Sequence, residues 1–113
     1  LDRLARDEVA LEVCPTSNVS LGVYSTLEEV PIRTLTDAGI DVALGADDPL
    51  LFGSRLAGQY AVLRAAQDFT DAELAELARM SIRRSYAPSD TVKATLTSID
   101  DWIAEPSDKG AEA

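Results

Sequence analysis

Residues 40–49 read Ile40-Asp41-Val42-Ala43-Leu44-Gly45-Ala46-Asp47-Asp48-Pro49. The first half of this stretch is almost continuously apolar, which is typical of a strand covered on both faces, as in parallel sheets. Two adjacent carboxylates, Asp47 and Asp48, follow the strand directly, and Pro49 then turns the chain. Such carboxylates cost solvation free energy unless a cation or a hydrogen-bond donor uses them. The stretch therefore predicts a functional position at the end of a buried strand.

A second segment, earlier in the chain, has the same layout of apolar strand, proline and polar groups. It reads Leu11-Glu12-Val13-Cys14-Pro15-Thr16-Ser17-Asn18, and we predict its strand over residues 9–14. Between this strand and the one predicted over residues 40–45 lies a helix that Pro31 opens and Gly39 ends as a left-handed cap. Strand, helix and strand form a βαβ unit, expected to be right-handed. Both polar clusters should then lie at one edge of the sheet, where α/β folds build their active sites.

The second half of the chain is predicted to be helical. We expect one helix from near Ser54, one that follows a capping box at Thr70 and Glu73, and one from Pro88 to about Glu105. Residues 15–29 are predicted to be a loop because they are rich in Ser, Thr, Asn and Gly.

These elements are assigned to one α/β unit over residues 1–105, followed by a polar, flexible tail at residues 106–113. Two strands do not make a stable sheet alone, and the chain starts at Leu1 inside a predicted helix, so we expect a piece of a longer protein. In such a piece one face of the sheet should be open to water. The apolar strand residues expected to be exposed there are Leu11, Val13, Val42 and Leu44.

Composition limits the possible partners and the compartment. The 113 residues carry 20 acidic and 10 basic side chains, a net charge of −10 that disfavours nucleic acid and anionic membranes. The sequence shows no apolar stretch long enough to span a membrane and no signal peptide. Cys14 is the only cysteine, so no internal disulfide can form. We therefore predict a cytoplasmic location.

The chemistry of the two polar clusters allows two interpretations. Asp47 could supply one hard oxygen ligand to zinc, magnesium or manganese, with Ser17 and Asn18 supporting the ligands by hydrogen bonds. Alternatively, Asp47 and Asp48 only cap the following segment, and Ser17 and Asn18 satisfy their own turn. Cys14 and Ser17 are poor nucleophile candidates because the chain contains no histidine and no nearby base.

Read together, the two clusters resemble the last third of an adenosine/adenine deaminase of the amidohydrolase superfamily. The resemblance is carried by CPTSN at residues 14–18 and GADDPLLFG at 45–53, with FTDAEL at 69–74 and SYAP at 85–88. It covers roughly residues 4–103. It implies an α/β fold that is the C-terminal portion of a (β/α)8 TIM barrel, with residues 9–14 as the seventh strand and 40–45 as the eighth.

The resemblance also implies a reaction, namely zinc-dependent hydrolysis of adenosine to inosine and ammonia by a full-length protein. In the family one zinc per subunit is held by histidines of the first and fifth strands and by the aspartate that Asp47 matches. A glutamate that shuttles protons and a histidine of the sixth strand complete the catalytic set. Asp48 matches a residue that contacts N7 of the purine, and its carboxyl must carry or share a proton because N7 is an acceptor.

None of the family's catalytic histidine or glutamate positions lies in this chain, so we expect no catalytic residue here and no activity of the chain alone. The expected substrate is a purine nucleoside or base. Two alternatives stay open at this point. One is an adenine or 6-amino-6-deoxyfutalosine deaminase of the same family, and the other is a non-catalytic α/β interaction module whose Asp-Asp-Pro is only a turn.

Overall fold

The computed structural model describes residues 1–105, so the predicted tail at residues 106–113 lies outside the described residues. The elements follow one another as α1 (Asp2–Arg6), β1 (Leu11–Val13), α2 (Pro15–Ser20), a 3-10 turn (Leu27–Glu29), α3 (Ile32–Asp37), β2 (Val42–Leu44), α4 (Pro49–Phe52), α5 (Leu56–Gln67), α6 (Asp71–Arg83) and α7 (Ser89–Ala104). No helix in this part of the chain is long and apolar enough to cross a membrane.

The two strands pair in parallel, as predicted. Leu11 lies opposite Val42 and Val13 opposite Leu44, and the chain passes between the strands through α3. Gly39, with φ of +80°, ends α3 in the left-handed conformation that a side chain disfavours. The sequence therefore located the βαβ unit correctly.

Both strands are shorter than predicted because their first residues bond to the preceding helix. The Val9 N–H donates to the Leu4 carbonyl at 3.0 Å, and the Ile40 N–H donates to the Leu35 carbonyl at 3.1 Å. These residues therefore close the ends of α1 and α3, and the ladder between the strands starts later.

The apolar strand residues face the helices, so the prediction that they are exposed is wrong. Val42 is 0% exposed, and Val13 and Leu44 are 8% and 7% exposed. The opposite face of the sheet carries Glu12, which is exposed, and Ala43, which is half-buried. Side chains alternate along a strand, and the face covered by helices has taken the apolar set.

Residues 15–29, predicted to be a loop, contain α2 and the 3-10 turn instead. Pro15 occupies the first turn of α2, where a missing N–H costs nothing. The Cys14 carbonyl accepts the Asn18 N–H at 2.9 Å and so closes the first turn. Helix α4 was likewise not predicted, although its N-cap is Asp48.

The helices of the second half have the predicted order and place the core against the sheet. Thr70 and Glu73 form the predicted capping box at the start of α6. The buried core cluster comprises Val13, Val30, Ile32, Val42, Leu44, Leu63, Phe69, Leu74 and Leu77. Helix α7 packs on α6 with its predicted inward residues half-buried, namely Val92, Leu96, Ile99 and Ile103. The core thus lies on the helix side of the sheet and leaves the carboxyl ends of the strands accessible.

Candidate functional site

The structure brings Ser17 and Asp47 together at the carboxyl ends of the two strands. Ser17, in the helix that follows β1, donates its hydroxyl proton to Asp47 Oδ2 at 2.7 Å. Ser17 is 2% exposed, whereas Asp47 is exposed. A buried hydroxyl therefore orients a carboxylate that solvent can reach, and the predicted juxtaposition of these residues is confirmed.

The backbone around Asp47 adopts an unusual conformation. Its φ of +56° lies in the left-handed region, which non-glycine residues seldom occupy although Asp tolerates it better than most. Two residues earlier, a Cβ added at Gly45 would come within 2.9 Å of Cys14 Sγ. The carboxylate is thus presented by a tight turn packed directly against the end of β1.

Cys14 is part of this packing and is not poised as a nucleophile. Burial raises the pKa of the Cys14 thiol. A hydrogen bond from the Asp47 backbone offsets this effect in part, and the negative charges of Asp47 and Glu12 raise the pKa further. A raised thiol pKa lowers the thiolate fraction, which agrees with the prediction of an inert thiol.

Asp48 acts as a helix cap. Its Oδ1 accepts the N–H groups of Leu50 at 3.1 Å and Leu51 at 3.0 Å at the start of α4. Its Oδ2 makes no hydrogen bond within residues 1–105. The capping alternative considered for Asp48 is therefore observed, and it leaves one carboxyl oxygen open to a ligand.

Asn18 is not brought to the carboxylate by any described contact. Its side chain makes no hydrogen bond in the part of the chain that the structure describes. Its carbonyl accepts the N–H groups of Val23 at 2.9 Å and Tyr24 at 3.4 Å, which close the chain after α2. Support for Asp47 by hydrogen bonding therefore comes from Ser17 and not from Asn18.

The residues present fit one ligand of a metal site. Among residues 1–105 there is no group of three or more His, Cys, Asp or Glu side chains that could hold a metal ion. Asp47 nevertheless has the features of a metal-binding carboxylate, since Ser17 fixes Oδ2 while Oδ1 makes no hydrogen bond in the described region. A catalytic metal site usually needs three or more protein ligands, so a metal ion held by Asp47 would need further ligands from outside this set.

One buried polar residue next to the site was not singled out in the sequence. Gln59 in α5 is 0% exposed. Its Oε1 accepts the Thr16 N–H at 3.1 Å, and its Nε2 donates to Ser54 Oγ at 2.6 Å. The available signal was a glutamine four residues before the core residue Leu63, on the same helix face.

Comparison with known proteins identifies similar sequences. The family model described as adenosine deaminase matches residues 1–102. A Streptomyces coelicolor protein named as an adenosine/adenine deaminase is 59% identical over 103 residues, which are 91% of this chain and 30% of that protein. An adenine deaminase of Rhizobium leguminosarum is 39% identical over 94 residues, which are 83% of this chain and 29% of that protein. The chain thus spans under a third of these relatives.

Two solved structures of deaminases are also similar to this chain. The crystal structure of an adenine deaminase from Arthrobacter aurescens matches with a TM-score of 0.88 and 32% identity, over 91% of this chain and 32% of that protein. An N6-methyl-AMP deaminase from Arabidopsis thaliana matches with a TM-score of 0.79 over 92% of this chain and 30% of that protein. At 24% identity, this second likeness is one of fold alone.

Proposed function

Since this chain belongs to the adenosine deaminase family, we propose that it contributes Asp47 as a zinc ligand and Asp48 as a purine contact to a hydrolytic 6-aminopurine deaminase. Its two parallel strands are part of the (β/α)8 barrel of that family, as the sequence predicted. The observation that carries the proposal is the hydrogen bond from buried Ser17 to exposed Asp47. Membership in this family of enzymes argues against the interaction-module alternative.

Asp47 would hold the metal through the oxygen that Ser17 leaves open. The Ser17 hydroxyl, donating to Oδ2, restrains the rotation of the carboxylate and keeps it in one orientation. When bound, zinc would supply a nucleophile at neutral pH by lowering the pKa of a water molecule. The remaining ligands and the proton-transfer groups would belong to other parts of the barrel.

Asp48 would orient the purine. Its Oδ1 is committed to the N-cap of α4, which fixes the carboxyl group, and its Oδ2 remains for the ring. Because N7 is only an acceptor, the carboxyl must present a proton there. Asp48 would thus combine a structural cap with a hydrogen bond to the substrate.

Adenosine, converted to inosine, is the substrate that the sequence predicts. Adenine is the second candidate, because the Rhizobium relative and the Arthrobacter structure are both named adenine deaminases. A 6-amino-6-deoxyfutalosine substrate, a cytoplasmic location and the lack of nucleic-acid or membrane partners stay predictions.

The division of roles between the two aspartates can be tested in a full-length protein. We define the grafted deaminase as the Streptomyces coelicolor relative in which this chain replaces the matching segment. Asp47→Ala should lose both zinc and activity because a metal ligand is removed. Asp48→Ser, which keeps a good N-cap but has no second polar atom to reach N7, should retain zinc but lose about 10²-fold in kcat because the hydrogen bond to N7 is removed. Metal analysis and ammonia release from adenosine and adenine would measure both effects.

The zinc content of the two variants distinguishes the proposed roles from the alternative that the aspartates only form and cap a turn. Equal zinc loss in Asp47→Ala and Asp48→Ser would refute the separate roles. Full zinc and activity in Asp47→Ala would show that Asp47 only closes a turn. The ratio of kcat/KM for adenosine and adenine would identify the preferred substrate.

A further inference from the structure

We propose that Gln59 is a positioning residue for Asp47, acting through the helix that carries Ser17. The inference rests on the proposed function, because it takes Asp47 as the zinc ligand. It concerns the Gln59 bridge, which we define as the Gln59 and Ser54 side chains together with the Thr16 backbone amide. The bridge connects α5, which lies outside the site, to the first turn of α2, which forms part of it.

The bridge has a fixed orientation. The Thr16 N–H can only donate, so the atom of Gln59 that faces it, at 3.1 Å, must be the acceptor Oε1. The Nε2 group then points to Ser54 Oγ at 2.6 Å. The Gln59 side chain is 0% exposed, and both its polar atoms have hydrogen-bond partners, as a buried amide requires.

Gly58 provides the space for this arrangement. A Cβ at Gly58 would lie 3.2 Å from Ser54 Oγ, closer than most real contacts of this kind. The missing side chain lets the Ser54 hydroxyl approach α5 and meet Nε2. A larger residue at position 58 would therefore crowd the hydroxyl that accepts the Nε2 hydrogen bond.

The bridge bears on Asp47 because it supplies the hydrogen-bond partner for a backbone N–H in the first turn of α2. The N-cap residue Cys14 makes no side-chain hydrogen bond to the helix. The first N–H groups of any helix lack intrahelical partners, and Gln59 supplies the partner for Thr16. The next residue is Ser17, whose hydroxyl holds Asp47 Oδ2 at 2.7 Å. Movement of this first turn would therefore move the donor that orients the carboxylate.

The chain offers a matched control in Gln67. It lies in the same helix α5, and its Nε2 also bonds to backbone, at 2.8 Å to the Leu27 carbonyl and 2.9 Å to the Val30 carbonyl. These bonds stabilise the 3-10 turn, which packs near α2 but makes no hydrogen bond to the first turn of α2 or to Asp47 among the described residues. Gln59→Leu and Gln67→Leu thus remove similar bonds, but only the first one should affect the candidate ligand.

The experiment uses the grafted deaminase with zinc as the probe. We expect Gln59→Leu to weaken zinc affinity about tenfold in competition with a chromophoric chelator. Amide hydrogen exchange of residues 15–20 should also become faster. Gln67→Leu should lower Tm to a similar extent and leave zinc affinity unchanged. Gln59→Glu, which retains an acceptor for the Thr16 N–H, should keep zinc affinity close to that of the unsubstituted protein.

The outcomes distinguish this inference from the proposed function. Unchanged zinc affinity in a folded Gln59→Leu variant overturns the inference alone, even if Tm falls. A grafted deaminase that binds no zinc before any substitution overturns the proposed function, and the inference with it. If Gln59→Leu does not fold, Ser54→Ala decides, because release of Nε2 should weaken zinc affinity and an unchanged affinity overturns the inference.

Discussion

At the residue scale, Gly45 is the position where the site has the least spare volume. A Cβ there would lie 2.9 Å from Cys14 Sγ. We expect Gly45→Ala to destabilise the grafted deaminase by about 1–3 kcal/mol through overpacking. It should also lower zinc content, because the turn that presents Asp47 must shift. Urea unfolding and metal analysis measure these two effects.

A double variant tests whether contact with the Cys14 sulfur causes the loss of stability in Gly45→Ala. Cys14→Ala in the Gly45→Ala background removes the sulfur and should recover most of the lost stability, so the two substitutions should be non-additive. Strictly additive free energies of unfolding would show that the sulfur is not what the new methyl group meets.

How far single residues could be predicted from the sequence depends on where their partners lie. Asp47 and Ser17 were brought together correctly because each directly follows a strand, and parallel strands end at one edge. Gln59 could not be recognised, because its role depends on Thr16, which is 43 residues away in the sequence. The role of Asp48 in capping was one of two alternatives that the sequence left open.

At the element scale, an ion pair joins α3 to the start of α6. Arg33 contacts Glu73 at 2.6 Å and lies over the Phe69 ring, 4.3 Å from its centre. The hydrogen bond from Arg33 lowers the pKa of Glu73 to about 2, and the backbone N–H of Thr70 contributes to the shift. Glu73 therefore belongs both to the capping box of α6 and to the ion pair that connects α6 to α3.

This pair predicts a pH dependence of stability. The pKa of Glu73 is lower in the folded state than its ordinary value of 4.5, so its contribution is complete above about pH 4.5 and is lost as the pH falls toward 2. Because the Glu73 side chain is 39% exposed, we expect a contribution of only about 1 kcal/mol. Urea unfolding of the grafted deaminase at several pH values should show a shallower decline for Glu73→Gln.

The variant is a suitable control because glutamine can also complete a capping box. In an Arg33→Gln background, Glu73→Gln should change the pH dependence little, since the main cause of the shift is gone. Equal slopes for the unsubstituted protein and Glu73→Gln would contradict this account.

The long helices with local signals could be predicted, whereas the four-residue α4 and the helix α2 could not. Helix α6 carries its own capping box and was placed correctly. Helix α2 has no side-chain N-cap, and its Thr16 N–H bonds to the distant Gln59 of α5, so its polar sequence alone suggested a loop. The strands were predicted in the right places but too long, because the hydrogen bonds that end α1 and α3 are not visible in an apolar pattern.

At the scale of the whole molecule, helices cover one face of the two-stranded sheet within residues 1–105 and leave the other face uncovered. The helix side of the sheet is buried, whereas Glu12 and Ala43 on the other face have no covering layer within residues 1–105. Large apolar side chains are also exposed after the carboxyl ends of the strands, with Leu21 64%, Val23 62%, Leu50 98% and Leu51 74% exposed. A surface of this kind favours association with other protein.

In isolation the chain should self-associate, because the exposed leucines and the strand edges that are unpaired within residues 1–105 can contact other copies. The net charge of −10 should oppose this, so added salt should increase association by screening the repulsion. Replacement of Leu50 and Leu51 by Ser should reduce it. Because the chain carries only one of the proposed metal ligands, it should also release no ammonia from adenosine or adenine in isolation. Sedimentation with amide exchange tests the structural part, and a salt-independent monomer with strongly protected amides in both strands would show instead that these residues fold as an autonomous domain.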